Sequence, residues 1–143
     1  MQAMSRIAIV AAAVAAAATL SGCAATPRET AAREARQARS AAELDQRLAG
    51  FTAGKPTTCL PNRNARRSDY FGDTIIYEVS GNLLYRTDTS GGCSLRNDDI
   101  LVTRSTIGQL CRGDIAHTVD RASRFPTGSC ALGEFTPYRK TRS

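Results

Sequence analysis

The residues with the greatest chemical reach in this 143-residue chain are five cysteines and a single histidine. Cys59, Cys93, Cys111 and Cys130 are widely spread, the nearest two, Cys93 and Cys111, being 18 positions apart. A thiol–disulfide catalyst uses closely spaced thiols, and a structural zinc site uses C-x-x-C pairs with nearby histidines. Neither pattern occurs among these four, whose even number suits two structural disulfides. Four cysteines permit three connectivities, and spacing alone does not choose. Cys93 follows Gly91-Gly92 and Cys130 lies two residues after Gly128. Turns of that kind can meet at one end of a sheet, which favours Cys93 with Cys130 and Cys59 with Cys111.

The histidine, His117, sits in Asp114-Ile115-Ala116-His117-Thr118-Val119 and alternates with Ile115 and Val119. It reads as a half-buried strand residue sharing their face, and a general base needs partners that the sequence does not display. Two carboxylate pairs, Asp69 with Asp73 and Asp98 with Asp99, offer a small hydrolase site or a calcium site as an alternative. Their turn-like surroundings make capping the simpler role. Arg112-Gly113-Asp114 reads as a bend beside Cys111. No phosphate-binding loop, dinucleotide fingerprint or nucleophile elbow is present. The expectation is a non-enzymatic protein with no cofactor and no metal.

The N-terminus sets the compartment. Arg6 is the only charge before an apolar run from Ile7 to Ala18, and Thr19-Leu20-Ser21-Gly22-Cys23 follows. A short positive region, an apolar stretch and small residues make an export signal. Counted to Leu20 the run is about 14 residues, roughly 21 Å as a helix, against a hydrocarbon core of about 30 Å. A permanent transmembrane helix is therefore disfavoured. Leu20-Ser21-Gly22-Cys23 resembles the lipobox of bacterial lipoproteins. The resemblance implies that residues 1–22 are removed, that a diacylglycerol is joined to the Cys23 thiol, and that the new amino group is acylated (palmitate-type modification). In that family an Asp after the Cys commonly marks inner-membrane retention. Ala24 stands here, which implies the outer membrane, facing the periplasm.

Residues 23–40 contain Ala, Arg, Glu, Gln and Thr and no large apolar side chain, so they read as a solvated, lipid-anchored linker that is able to form a helix. Thr26-Pro27-Arg28-Glu29 has the capping-box pattern with Pro at the first helical position. A second box, Ser40-Ala41-Ala42-Glu43, opens a segment in which Ala41, Leu44, Leu48 and Phe51 recur at helical spacing before Gly50. That pattern predicts a short docking helix over 41–49, heading a disulfide-stapled β domain over 41–143.

Beyond Lys55 the helical period gives way to short β runs. Residues 74–79 and 83–87 flank Ser80-Gly81-Asn82 and predict a hairpin. Further strands are expected over 100–105, 110–119 and 131–136, with another around Cys59 and loops at Ile107-Gly108 and over 123–129. The fold class is mainly β: a small antiparallel barrel or sandwich of about six short strands after a helical N-terminal segment.

The whole chain carries 19 Lys+Arg against 13 Asp+Glu. Without residues 1–22 the basic count falls by Arg6 alone, to 18, and the net charge is +5. Arg63, Arg66 and Arg67 form the densest basic stretch, and Arg139 and Lys140 a second near the end. An exported chain does not ordinarily meet nucleic acid. The polyanions at hand are anionic lipid, lipopolysaccharide phosphates and acidic cell-wall polymers.

Over residues 48–140 the body resembles a group of small exported lipoproteins of unknown function from alphaproteobacteria. The resemblance rests on Cys59, the hydrophobic hairpin, Asp99-Ile100-Leu101-Val102, Gln109-Leu110-Cys111-Arg112-Gly113-Asp114 and Cys130-Ala131-Leu132-Gly133-Glu134-Phe135-Thr136-Pro137. It implies kinship and no mechanism. A rival likeness is to the lysozyme-inhibitor lipoproteins with their Ser-Gly-x-x-Tyr loop. Ser80-Gly81-Asn82-Leu83-Leu84-Tyr85 is one residue longer, and a basic domain repels a cationic lysozyme at long range. The sequence therefore points to a lipid-anchored envelope binding or structural module.

Overall fold

The computed structural model describes residues 25–61, 65–93, 99–105 and 108–141. Cys23, Arg63, Asp98 and Ile107 lie outside the described residues. The chain divides into two compact units, Met1–Ala35 and Arg36–Ser143.

In the first unit the helix α1 (Pro27–Leu48) begins. Thr26 N–H and Oγ1–H both donate to Glu29 Oε2 at 2.8 Å, and Glu29 N–H donates back to Thr26 Oγ1 at 3.3 Å. This is the reciprocal capping box that the sequence predicts. The bonds from Thr26 hold the Glu29 carboxyl below its ordinary range. Side chains 25–35 are all exposed.

In the second unit α1 continues to Leu48, so the helix does not start at 41. Ser40-Ala41-Ala42-Glu43 lies within it, because the surrounding Ala, Arg, Glu and Gln propagate a helix already nucleated at Thr26. The helix stops at Ala49-Gly50, where Gly50 takes a φ of 77°, the left-handed terminator that glycine adopts without strain. Phe51 therefore falls outside the helix, on the first strand.

Eight strands follow: β1 (Phe51–Ala53), β2 (Arg67–Phe71), β3 (Thr74–Ser80), β4 (Leu83–Gly91), β5 (Asp99–Thr103), β6 (Ile115–Asp120), β7 (Pro126–Leu132) and β8 (Thr136–Lys140). Every pairing is antiparallel. β4 is the shared element. It pairs with β3 along one side, while Leu83–Arg86 pair with β8 and Thr89–Gly91 pair with β7. One half of the sheet is thus β2-β3-β4-β8-β1 and the other β4-β7-β6-β5.

The sheet stays open, with β1, β2 and β5 at its edges, which corrects the barrel alternative. It also has eight strands where about six are expected. The expected strand over 131–136 is two strands, β7 and β8, broken at Gly133-Glu134. The expected loop over 123–129 contains the start of β7. Residues 110–114 are a bridge and turn before β6 rather than strand. The stretch around Cys59 makes two isolated bridges, Thr57 with Phe135 and Cys59 with Cys111.

The halves bury a common core of Leu60, Ile75, Tyr77, Tyr85, Ala116, Cys130, Leu132 and Phe135. A second cluster, Leu44, Ile76 and Leu84, lies where the last turns of α1 cover the opposite face of β3 and β4. Thr74, Ile75, Ile76 and Tyr77 are consequently all buried, because both faces of that strand are covered. Arg47 ties the helix down through Asp69 at 3.2 Å and Glu78 at 2.5 Å. Among the described residues no helix is long and apolar enough to cross a membrane.

Candidate interaction surface

The β4-β7-β6-β5 half differs from its counterpart in its outer face. Along β6 burial alternates: Ala116 and Thr118 are buried, whereas Ile115 and His117 are exposed. Alternation of this kind marks a strand covered on one side only. The register places His117 opposite Val102 and Ser129, Val119 opposite Ile100 and Pro126, and Ile115 opposite Ala131. Residues directly opposite share a face, so Ile100, Val102, Ile115, Val119 and Ala131 surround His117 on the uncovered side. Val102 is 39% and Ile115 49% exposed. His117 does share the face of Ile115 and Val119, as the alternation predicts, but that face is the outer one. The expected half-buried histidine is therefore an exposed one.

Residues 121–125 connect β6 to β7 and end in Phe125, which is 72% exposed. The loop is tightly held. Asp120 Oδ1 accepts from Ala122 N–H at 3.0 Å, Ser123 N–H at 2.7 Å and Ser123 Oγ–H at 2.8 Å. Arg124 N–H donates to the Asp120 carbonyl, and Asp120 N–H donates to that of Phe125. The bonds from Ser123 hold the Asp120 carboxyl below its ordinary range. Arg124 has a φ of 61° and is the one non-glycine residue with positive φ among the described residues. The sequence predicts a loop over 123–129 but gives Phe125 no role in it. The available signal was an aromatic between Arg124 and Pro126 in a polar turn.

The cysteines pair as Cys59–Cys111 and Cys93–Cys130, with Cα separations of 3.9 and 5.0 Å. Cys130 lies on β7 within the core rather than in a turn. Cys59–Cys111 straps the 54–61 segment, whose Leu60 N–H also donates to Leu110 and whose Thr58 carbonyl accepts from Arg112 N–H. The Cys111–Asp114 bend is closed by Asp114 Oδ2 accepting from Cys111 N–H at 2.8 Å, and Arg112 pairs with Glu134 at 3.1 Å.

The basic residues do not gather at one place. Arg66 and Arg67 lie at β2, and Arg67 pairs with Asp69 at 2.6 Å. Arg139 and Lys140 lie on β8, with β3 and β4 between. At about 4.8 Å per strand this is a separation of about 14 Å. One member of each acidic pair is used internally: Asp69 takes Arg47 and Arg67, and Asp99 accepts from Thr127 at 2.8 Å. Gly81 and Asn82 turn between β3 and β4 after Ser80 ends β3, while Tyr85 is buried in the core opposite Tyr77. Among the described residues no group of three or more His, Cys, Asp or Glu is placed to hold a metal.

No protein family, curated protein or solved structure matches the chain.

Proposed function

We propose that the chain is a lipid-anchored, non-enzymatic module of the cell envelope, held at the periplasmic face of the outer membrane through Cys23 and engaging an anionic envelope surface. The observation that carries this reading is the pair of cross-links, Cys59–Cys111 and Cys93–Cys130. Such bonds persist in oxidising compartments and are rare in the cytosol, which agrees with the leader and lipobox over residues 1–23. Several of the side chains with chemical potential serve structure: Asp69 holds Arg47 and Arg67, Asp114 and Asp120 close turns, and His117 stands on an open face opposite Val102 and Ser129.

The test is mass spectrometry and fractionation of native material. A chain beginning at Cys23 and carrying fatty acid in the membrane fraction is expected. Two or more acyl chains hold a protein there stably, and Cys23→Ser should release it. An intact leader, or an unmodified Cys23 in a water-soluble fraction, overturns the reading.

A further inference from the structure

The β6–β7 turn presents its aromatic outward on a well-bonded scaffold. Phe125 is the most exposed large hydrophobic side chain among the described residues, and its exposure is not the result of a loose loop. Six hydrogen bonds within residues 120–125 fix the turn. Arg124 holds a backbone conformation that side chains other than glycine rarely adopt. Strain of that kind persists where the surrounding structure over-determines it, often at binding sites.

Charge narrows the occupant. Arg121 and Arg124 flank the aromatic, while the Asp120 carboxylate is engaged by three donors of its own loop. Those neutral donors keep Asp120 ionised, so the tip carries two cations against one anion around an apolar centre. An apolar ring at a membrane surface is buried at the headgroup–acyl boundary, and basic side chains beside it are drawn to anionic lipid. Behind the tip the register continues the apolar surface with Pro126, Val119 and Ile100.

We infer that the β6–β7 tip is a bilayer contact, with Phe125 seated at the headgroup–acyl boundary of an anionic membrane and Arg124 against lipid phosphates. The inference rests on the anchored reading above, since an acylated Cys23 is what keeps a bilayer within reach of the domain.

The chain contains no Trp, so Phe125→Trp introduces a single fluorescent reporter. The complete protein bearing this change, its Cys23 modification checked by mass, is reconstituted into vesicles of phosphatidylcholine alone or mixed with phosphatidylglycerol. In the anionic vesicles the indole emission should shift to the blue and be quenched by brominated acyl chains. Arg124→Gly relieves the positive φ while removing a charge, and it should lower the ratio of engaged to free tips about fivefold. High salt should act in the same direction. The same reporter placed by Asn82→Trp, in the β3–β4 turn, should stay unquenched.

An acylated protein whose indole at position 125 is unquenched defeats this inference and leaves the anchored reading standing. An unmodified Cys23 with a quenched indole does the reverse. Equal quenching in neutral and anionic vesicles, or equal quenching at position 82, overturns the assignment to an anionic contact at this tip. A blue shift without lipid that grows with protein concentration assigns the tip to a second copy instead.

Discussion

Gly133 lies so close to Asp88 that a Cβ on it would stand 2.4 Å from the Asp88 carbonyl oxygen. This approach occurs where β4 passes from its β8 neighbour to its β7 neighbour and where the chain itself steps from β7 to β8. The corner joining the two halves of the sheet therefore depends on a missing side chain, and the obstacle is backbone that cannot swing aside.

Gly133→Ala is expected to cost about 2 kcal/mol or more, in the range of overpacking in a rigid interior. Gly81→Ala, with nothing within 4 Å of the added carbon, should be neutral or slightly stabilising. Urea denaturation of both variants checks the contrast; equal stabilities would show that the corner relaxes freely.

That corner also explains much of what the sequence conceals. The hairpin of β3 and β4 is legible because β-branched and aromatic residues flank a Gly-Asn turn. β2 is not, since Arg67-Ser68-Asp69 reads as a polar loop and becomes strand only by pairing with Glu78, Tyr77 and Ile76. The break at Gly133 cannot be seen locally, because its cause is an atom 45 positions earlier. His117 shows the same boundary from another side. A period of two says which residues share a face, but which face another layer covers depends on where α1 packs. Phe125 was hidden for a like reason, as no local signal distinguishes an aromatic folded inward from one held out.

Each disulfide closes a long loop, with separations of 52 and 37 residues. In the chain-entropy account either bond contributes about 4 kcal/mol. Replacing both partners by Ala should therefore cost about that much for each pair. The larger loss is expected at Cys93–Cys130, because Cys130 is 3% exposed and also packs in the core. Chemical denaturation of the two double variants tests this order, and a larger loss for the Cys59–Cys111 pair would contradict it.

Leu44 is the one buried residue of α1, and its side chain meets Ile76 and Leu84. Leu44→Ala should cost about 3 kcal/mol. Arg47, although it reaches both Asp69 and Glu78, keeps 26% of its side chain exposed. Solvent screening at such a site limits Arg47→Met to a loss of about 1 kcal/mol or less. If the arginine variant proves the more damaging, the helix is held by charge rather than by its apolar contact.

Tyr77 carries its hydroxyl into the core with no hydrogen-bond partner, as do Thr87 and Thr118. An unpartnered buried hydroxyl loses its hydration without replacement, so Tyr77→Phe at neutral pH should leave stability unchanged or raise it by up to about 1 kcal/mol. Burial first, and then the nearby Tyr70, push the Tyr77 phenol above its ordinary value of 10.0. The folded state thus keeps a proton that the unfolded state surrenders. Stability is complete below pH 10 and falls above it, at about 1.4 kcal/mol per pH unit, until the raised value is passed. Unfolding curves at pH 7 and pH 11 should accordingly diverge for the natural chain and draw closer together in Tyr77→Phe. A loss of 1 kcal/mol or more at pH 7 would mean instead that the hydroxyl is bonded, for example through an internal water.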